Sequence, residues 1–360
     1  MAVEPLFATR AQRAFMFTVC FQAIVVLAMV GITFRMVEDN VNFDTPRYKT
    51  LPCYLALFAL AEIFELLLAF DALRLRNIIQ LLGILLFHLA LMIFAALQVH
   101  QTRTALVTLP HCDGRDDFVS CGGPGTLWKR VEPFLIVAPC VIAASWLMIL
   151  FWIKQLYGEF GWAIFHVVGA NPKMKTMYQW YQIMICLLKF DFFAFTGVTM
   201  QLLIVVLQIN SAEFGVTIAA IPVVLVLLML CGIAVQREIK WIMSISLVMM
   251  LAAMSYSNEI PARQQVLYKL VRFYQPSSRD QYETTRATLT VFTVVAFLLL
   301  FATFAVGLRC FADFDRGLQA SKVNALPTRP KITTGASQNM TESQLSYLGG
   351  APVAHRISIE

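Results

Sequence analysis

A polytopic α-helical membrane protein is the fold class this chain predicts, and three observations carry it. Hydrophobic residues make up 59% of the 360 and charged ones only 14%, against about 25% charged in soluble domains. The apolar residues gather into long runs, and a helix needs about 20 of them to cross a bilayer. Those runs are continuous, whereas a β-barrel needs short alternating segments. The formal charge of +6 therefore reports topology first. No stretch resembles a nucleic-acid module, and the lipid bilayer is the expected partner.

Eight spans are expected, at 14–34, 51–73, 78–97, 134–153, 183–208, 215–235, 241–256 and 288–308. The first follows Arg10 and Arg13, is too long for a signal h-region and lacks a small-residue cleavage site, so it predicts a signal anchor. The seventh is the weakest, because it is short and joins the sixth through only QREIK. Residues 1–310 then form the transmembrane domain. Residues 311–360 form a cytosolic tail whose Ser, Thr, Pro, Gly and Asn content predicts disorder for most of it. With both termini cytosolic, the cytosolic segments hold the larger share of the 28 Lys and Arg residues, as the positive-inside rule requires. Making the seventh run re-entrant moves the tail across the membrane and weakens that asymmetry.

Two loops fit the far side. HCDGRDDFVSC carries Cys112 and Cys121 around an acidic turn, and an oxidising lumen would close them into a disulfide. Between Pro261 and Pro276, Val266, Leu267, Leu270, Val271 and Tyr274 recur at helical spacing. That spacing suits a short helix on the membrane surface or one capping the bundle. The sequon at Asn339 falls in the tail, where a cytosolic location leaves it unused.

Charges inside the spans are the candidate functional residues, because ionisable groups at depth are costly and face protein or water. Glu62 and Glu65 are three apart and share a face of span two. His88 enters span three to a depth matching Glu62, so Glu62–His88 is an expected pair. Lys189 and Asp191 lie in ICLLKFDFFAF, two residues apart, which is about 200° of helix rotation and forbids their pairing. One reading joins Lys189 to Glu65 and turns Asp191 to another helix or a polar cavity. The other lets Lys189 snorkel to the headgroups. The segment ahead of them places Lys173 and Lys175 beside Tyr178, Trp180 and Tyr181. This suits an interface anchor on the cytosolic leaflet, with the lysines toward anionic headgroups.

LYGEFGWAIFHVVGANPKMKTMYQWYQIMICLLKFDFF, residues 156–193, resembles the signature region of a family of uncharacterised fungal multi-pass membrane proteins assigned to the Golgi apparatus. The matching elements are Tyr157 to Trp162, Gly169-Ala170, Met177-Tyr178 and Lys189-Phe190-Asp191, while Asn171 stands where an acidic residue is expected. The resemblance implies a Golgi or other endomembrane location and a similar layout of spans. It supplies no activity and no catalytic residue.

Enzyme signals are sparse. His111 and Asp116 make an H-x4-D spacing of the kind used by glycerolipid acyltransferases, without the accompanying phosphate-binding motifs. H-E-x-x-H, C-x-x-C, a Walker loop and G-x-S-x-G are missing. The sequence thus leads to a non-enzymatic endomembrane protein with no cofactor or metal and a structural, trafficking or sensing role. A proton- or ion-coupled transporter using the Glu, His, Lys and Asp network stands second, and a lipid-modifying membrane enzyme third.

Overall fold

The computed structural model describes residues 7–43, 48, 50–168, 172–206, 212–254 and 286–317. Those residues hold eight α-helices: α1 (Arg10–Glu38), α2 (Thr50–Leu75), α3 (Ile78–Leu106), α4 (Leu127–Val168), α5 (Pro172–Gln201), α6 (Ala212–Arg237), α7 (Lys240–Met254) and α8 (Arg286–Ala312). Seven are long and apolar enough to cross a membrane, and α7 is a shorter apolar helix of 15 residues. The expected segment between Pro261 and Pro276 and the tail with Asn339 lie outside the described residues.

The helices overrun the apolar runs, because a hydrogen-bonded helix continues past the hydrocarbon until a cap or a breaker stops it. α4 is the largest case. It has 42 residues and carries Pro133 and Pro139 within it, so it is roughly 63 Å long against a hydrocarbon core of about 30 Å. The stretch after Ile153, beyond the end of the expected fourth span, is therefore a continuation of α4. Leu156 and Phe160 on it are buried against Phe15 near the start of α1. Thr9 caps α1 and donates from its hydroxyl to Glu159 at 3.0 Å.

Tight turns set the neighbours. Arg76, at φ 49°, ends α2 with Asn77 N–H bonded to Ala72 C=O, and Asn77 Oδ1 then caps α3 through Ile79 and Gln80 N–H. Glu238, at φ 57°, makes the same kind of turn between α6 and α7, with Ile239 N–H bonded to Ala234 C=O. Both are Schellman-type ends, and each forces an antiparallel hairpin.

Packing follows two four-membered circuits. In the first, α1 packs on α2 and α4, and α3 packs on α2 and α4. In the second, α5 packs on α6 and α8, and α7 packs on α6 and α8. α5 joins the circuits by packing on α2 and α3. Phe64, Phe87, Phe190 and Phe193 fill that junction, with Phe64–Phe193 and Phe87–Phe193 ring centroids 4.8 and 4.9 Å apart. Large apolar side chains such as Phe17, Leu86, Leu147, Val223 and Leu298 are exposed on the outside, the surface that contacts lipid.

The loop between α3 and α4 is closed by a Cys112–Cys121 disulfide, with Cα atoms 5.3 Å apart. Gly123 packs so closely there that a Cβ would sit 2.3 Å from Cys112 O. Ser120 and Val119 N–H both bond Asp117 Oδ1, and these donors hold its carboxyl below the usual aspartate value.

Candidate functional site

The five intramembrane polar residues do not converge on one site. The structure divides them into three separate arrangements, set by the faces of α2 and α5 on which they stand.

The first is a closed polar circuit inside the α1–α4 group. Glu62, Glu65, His88 and Gln22 are each 0% exposed. Gln22 Nε2, from the middle of α1, donates to Glu62 Oε1 at 3.0 Å and Oε2 at 2.9 Å. Ser145 of α4 links onward: its Oγ lies 3.5 Å from Gln22 Oε1 and 3.0 Å from His88 Nε2. His88 Nε2 also lies 2.9 Å from Ile142 O, and its Nδ1 lies 2.6 Å from Glu65 Oε1. A carbonyl oxygen can only accept, so Nε2 carries a proton. The remaining proton of the pair sits between Nδ1 and Glu65 Oε1, and the pair as a unit is neutral wherever that proton resides. Glu65 Oε2 has no hydrogen-bond partner. The circuit thus touches all four helices and returns to α2, one turn from where it began.

The expected Glu62–His88 pair is therefore corrected to Glu65–His88. Counted from the Arg76 turn, Glu65 and His88 are both roughly 17 Å away, while Glu62 is roughly 21 Å away. Register from the turn, rather than from the ends of the apolar runs, decides the partner.

The second arrangement holds Lys189. Its ammonium pairs with Asp71 and donates to Gln80 Oε1 at 2.8 Å. Gln80 Nε2 in turn donates to Asp71 Oδ2 at 3.1 Å and Leu68 O at 2.8 Å. One of the two readings of Lys189 paired it with Glu65; Asp71 takes that place, standing nine residues after Glu62, about 180° around α2. Glu62 and Glu65 face α1, α3 and α4, whereas Asp71 and Phe64 face α5. Lys189 and Asp71 keep 28% and 32% of their side chains exposed, near the α2–α3 turn.

Asp191 forms the third. It faces away from Lys189, toward α8, and its Oδ2 accepts from Thr303 Oγ1 at 2.5 Å. It lines a cavity of about 600 Å³ between α5, α6, α7 and α8. Chain order hides this cavity, because the α6, α7 and α8 residues of its wall lie far from Asp191 along the sequence. The sequence reading also missed Gln22, Ser145, Gln80 and Thr303. Gln22 and Thr303 were visible as polar groups deep within apolar runs, but nothing in the sequence names their partners.

The expected interface anchor is part of α5 itself. Lys173 and Lys175 are exposed on its first turns, while Tyr178 is buried. Trp180 and Tyr181 pack against a core that includes Met184, Met243, Cys310 and Phe314. The aromatics hold helices together there because α5 begins eleven residues earlier than the apolar run does. His111 and Asp116 are exposed on the disulfide loop, and no hydrogen bond joins them among the described residues.

The chain is 30% identical over 304 residues to a UPF0658 Golgi apparatus membrane protein of Schizosaccharomyces pombe, covering 79% of this chain and 81% of that relative. No family model matches the chain. No solved structure matches it either.

Proposed function

The chain belongs to the UPF0658 family of Golgi apparatus membrane proteins, and from that membership we propose that it is a Golgi-resident, non-catalytic multi-pass protein whose α1–α4 group is a locked scaffold. One observation carries the scaffold reading: the Gln22–Glu62 and His88–Glu65 hydrogen bonds, linked through Ser145, tie four helices together with all four side chains unexposed. Transport through titratable groups needs a wetted path to them, and Glu62, Glu65 and His88 have no exposed surface. Such networks favour one arrangement of helices over its alternatives, since any slip in register strands a buried carboxylate. The distribution of Lys and Arg supports a cytosolic location for both termini.

Purified protein in liposomes under a pH gradient is expected to pass no more protons than empty liposomes. A proton flux that Glu62→Gln abolishes would replace the scaffold with a transporter.

A further inference from the structure

The second helical circuit is built differently from the first. Where the α1–α4 group closes on itself through polar contacts, α5, α6, α7 and α8 surround a cavity of about 600 Å³, within the ~300–1,000 Å³ of small-molecule sites. Its walls are almost wholly apolar, with Leu227, Leu228, Ile245, Met250 and Leu300 among them.

Two polar atoms on that wall are unmet. Asp191 is 7% exposed; Thr303 occupies Oδ2, while Oδ1 has no hydrogen-bond partner. Thr293, on α8, is 1% exposed and its hydroxyl is likewise unpartnered. Buried polar atoms without partners are uncommon because each costs free energy. Here two line the same apolar space, from two different helices. Among the described residues no Lys or Arg lines the cavity. Lys189, the nearest in sequence, points the opposite way into Asp71 and Gln80. Among the described residues the Asp191 carboxyl therefore has no cation beside it.

We propose that this cavity binds a single-chain amphiphile with an amine head. An ammonium carries three donors and a positive charge, which meet Asp191 Oδ1; the Thr293 hydroxyl, ten residues from Thr303 along α8 and so roughly 15 Å away, lies further along the cavity wall. The hydrocarbon chain fills the apolar remainder. Ile245 and Met249 of the α7 wall and Val223 of the α6 wall are exposed on the lipid-facing surface, so the ligand enters sideways from the bilayer. The site shares no residue with the α1–α4 circuit, and its existence does not rest on the scaffold reading.

The test uses the full chain in phosphatidylcholine nanodiscs with tritiated octadecylamine, competed by unlabelled octadecylamine, octadecanol or stearic acid. Saturable binding is expected, with the amine competing at least about tenfold better than the alcohol or the acid. Asp191→Asn should erase that preference, and Leu227→Trp, which fills the cavity, should weaken binding of all three. Equal competition by the three compounds overturns the proposal, as does an unchanged preference in folded Asp191→Asn. If Asp191→Asn does not fold, Leu227→Trp decides: wild-type amine binding in that variant sinks the idea.

Discussion

Glu65 and His88 hold one another with no exposed surface, so each is the condition for the other's burial. Removing one strands its partner, which in proteins costs about 3–5 kcal/mol, somewhat less where the membrane-embedded unfolded state offers alternatives. The pairing makes a sharp prediction. A double-mutant cycle of Glu65→Ala with His88→Ala, read by thermal unfolding in detergent, should show a coupling of about 0.5–3 kcal/mol. The same cycle for Glu65→Ala with Lys189→Ala should be additive within about 0.5 kcal/mol. Coupling in the second cycle and none in the first would restore the partner that depth alone suggested. Asp71→Ala with Lys189→Ala should couple weakly, because a third of that pair is open to solvent or headgroups. That Glu62, Glu65 and His88 would be buried was legible from their positions in the runs, whereas for Lys189 and Asp191 the sequence left burial and interface open. Which charge meets which was not, because it depends on helix phase and on register from the turn.

α5 does two jobs from opposite faces, and KFDFF divides between them. Lys189, Phe190 and Phe193 engage α2 and α3, while Asp191 turns to α8 and the cavity. The 200° between Lys189 and Asp191 is what permits this, and it was legible from spacing alone. The closeness of α3 to α5 was not. A Cβ added at Gly83 would sit 3.0 Å from Phe190 and 3.1 Å from Cys186 Sγ, so the helices approach at the one position without a side chain. Gly83→Leu should therefore push α5 off α3, destabilising the protein by about 1–3 kcal/mol, with Gly83→Ala milder. Unfolding midpoints that leave Gly83→Leu at the wild-type value would show that the two helices can separate freely. α5 then passes from Gln201 into a π-helical turn at Leu202–Val206, a local widening common near functional sites. It begins three residues after Thr199, which also lines the cavity.

At the scale of the molecule, one circuit is sealed by polar contacts and the other encloses space, with α5 belonging to the second and braced on the first. Topology rests on α7. Its 15 described residues span roughly 22 Å, short of the ~30 Å hydrocarbon core, yet the Glu238 turn pairs it antiparallel with α6. With α7 counted as a crossing and the N-terminus cytosolic as proposed, the disulfide loop is lumenal and Asn339 is cytosolic. A sequon engineered into residues 107–126 should then gain an endoglycosidase-sensitive mobility shift in cells, with Asn339 unmodified. A shift that Asn339→Gln removes would reverse the tail and make α7 re-entrant.

The sequence by itself determined the class of molecule and the order of its helices. Hydrophobic runs and charge spacing are one-dimensional quantities, readable without any neighbour. Tertiary structure alone decided that Glu65 rather than Glu62 meets His88, that Lys189 goes to Asp71, and that Asp191 looks into a cavity. Those outcomes depend on the rotation and register of each helix against the next. Rotation and register come from side-chain packing and from where a turn begins, as at Arg76, Gly83 and Pro172. A periodic apolar run contains no mark of either.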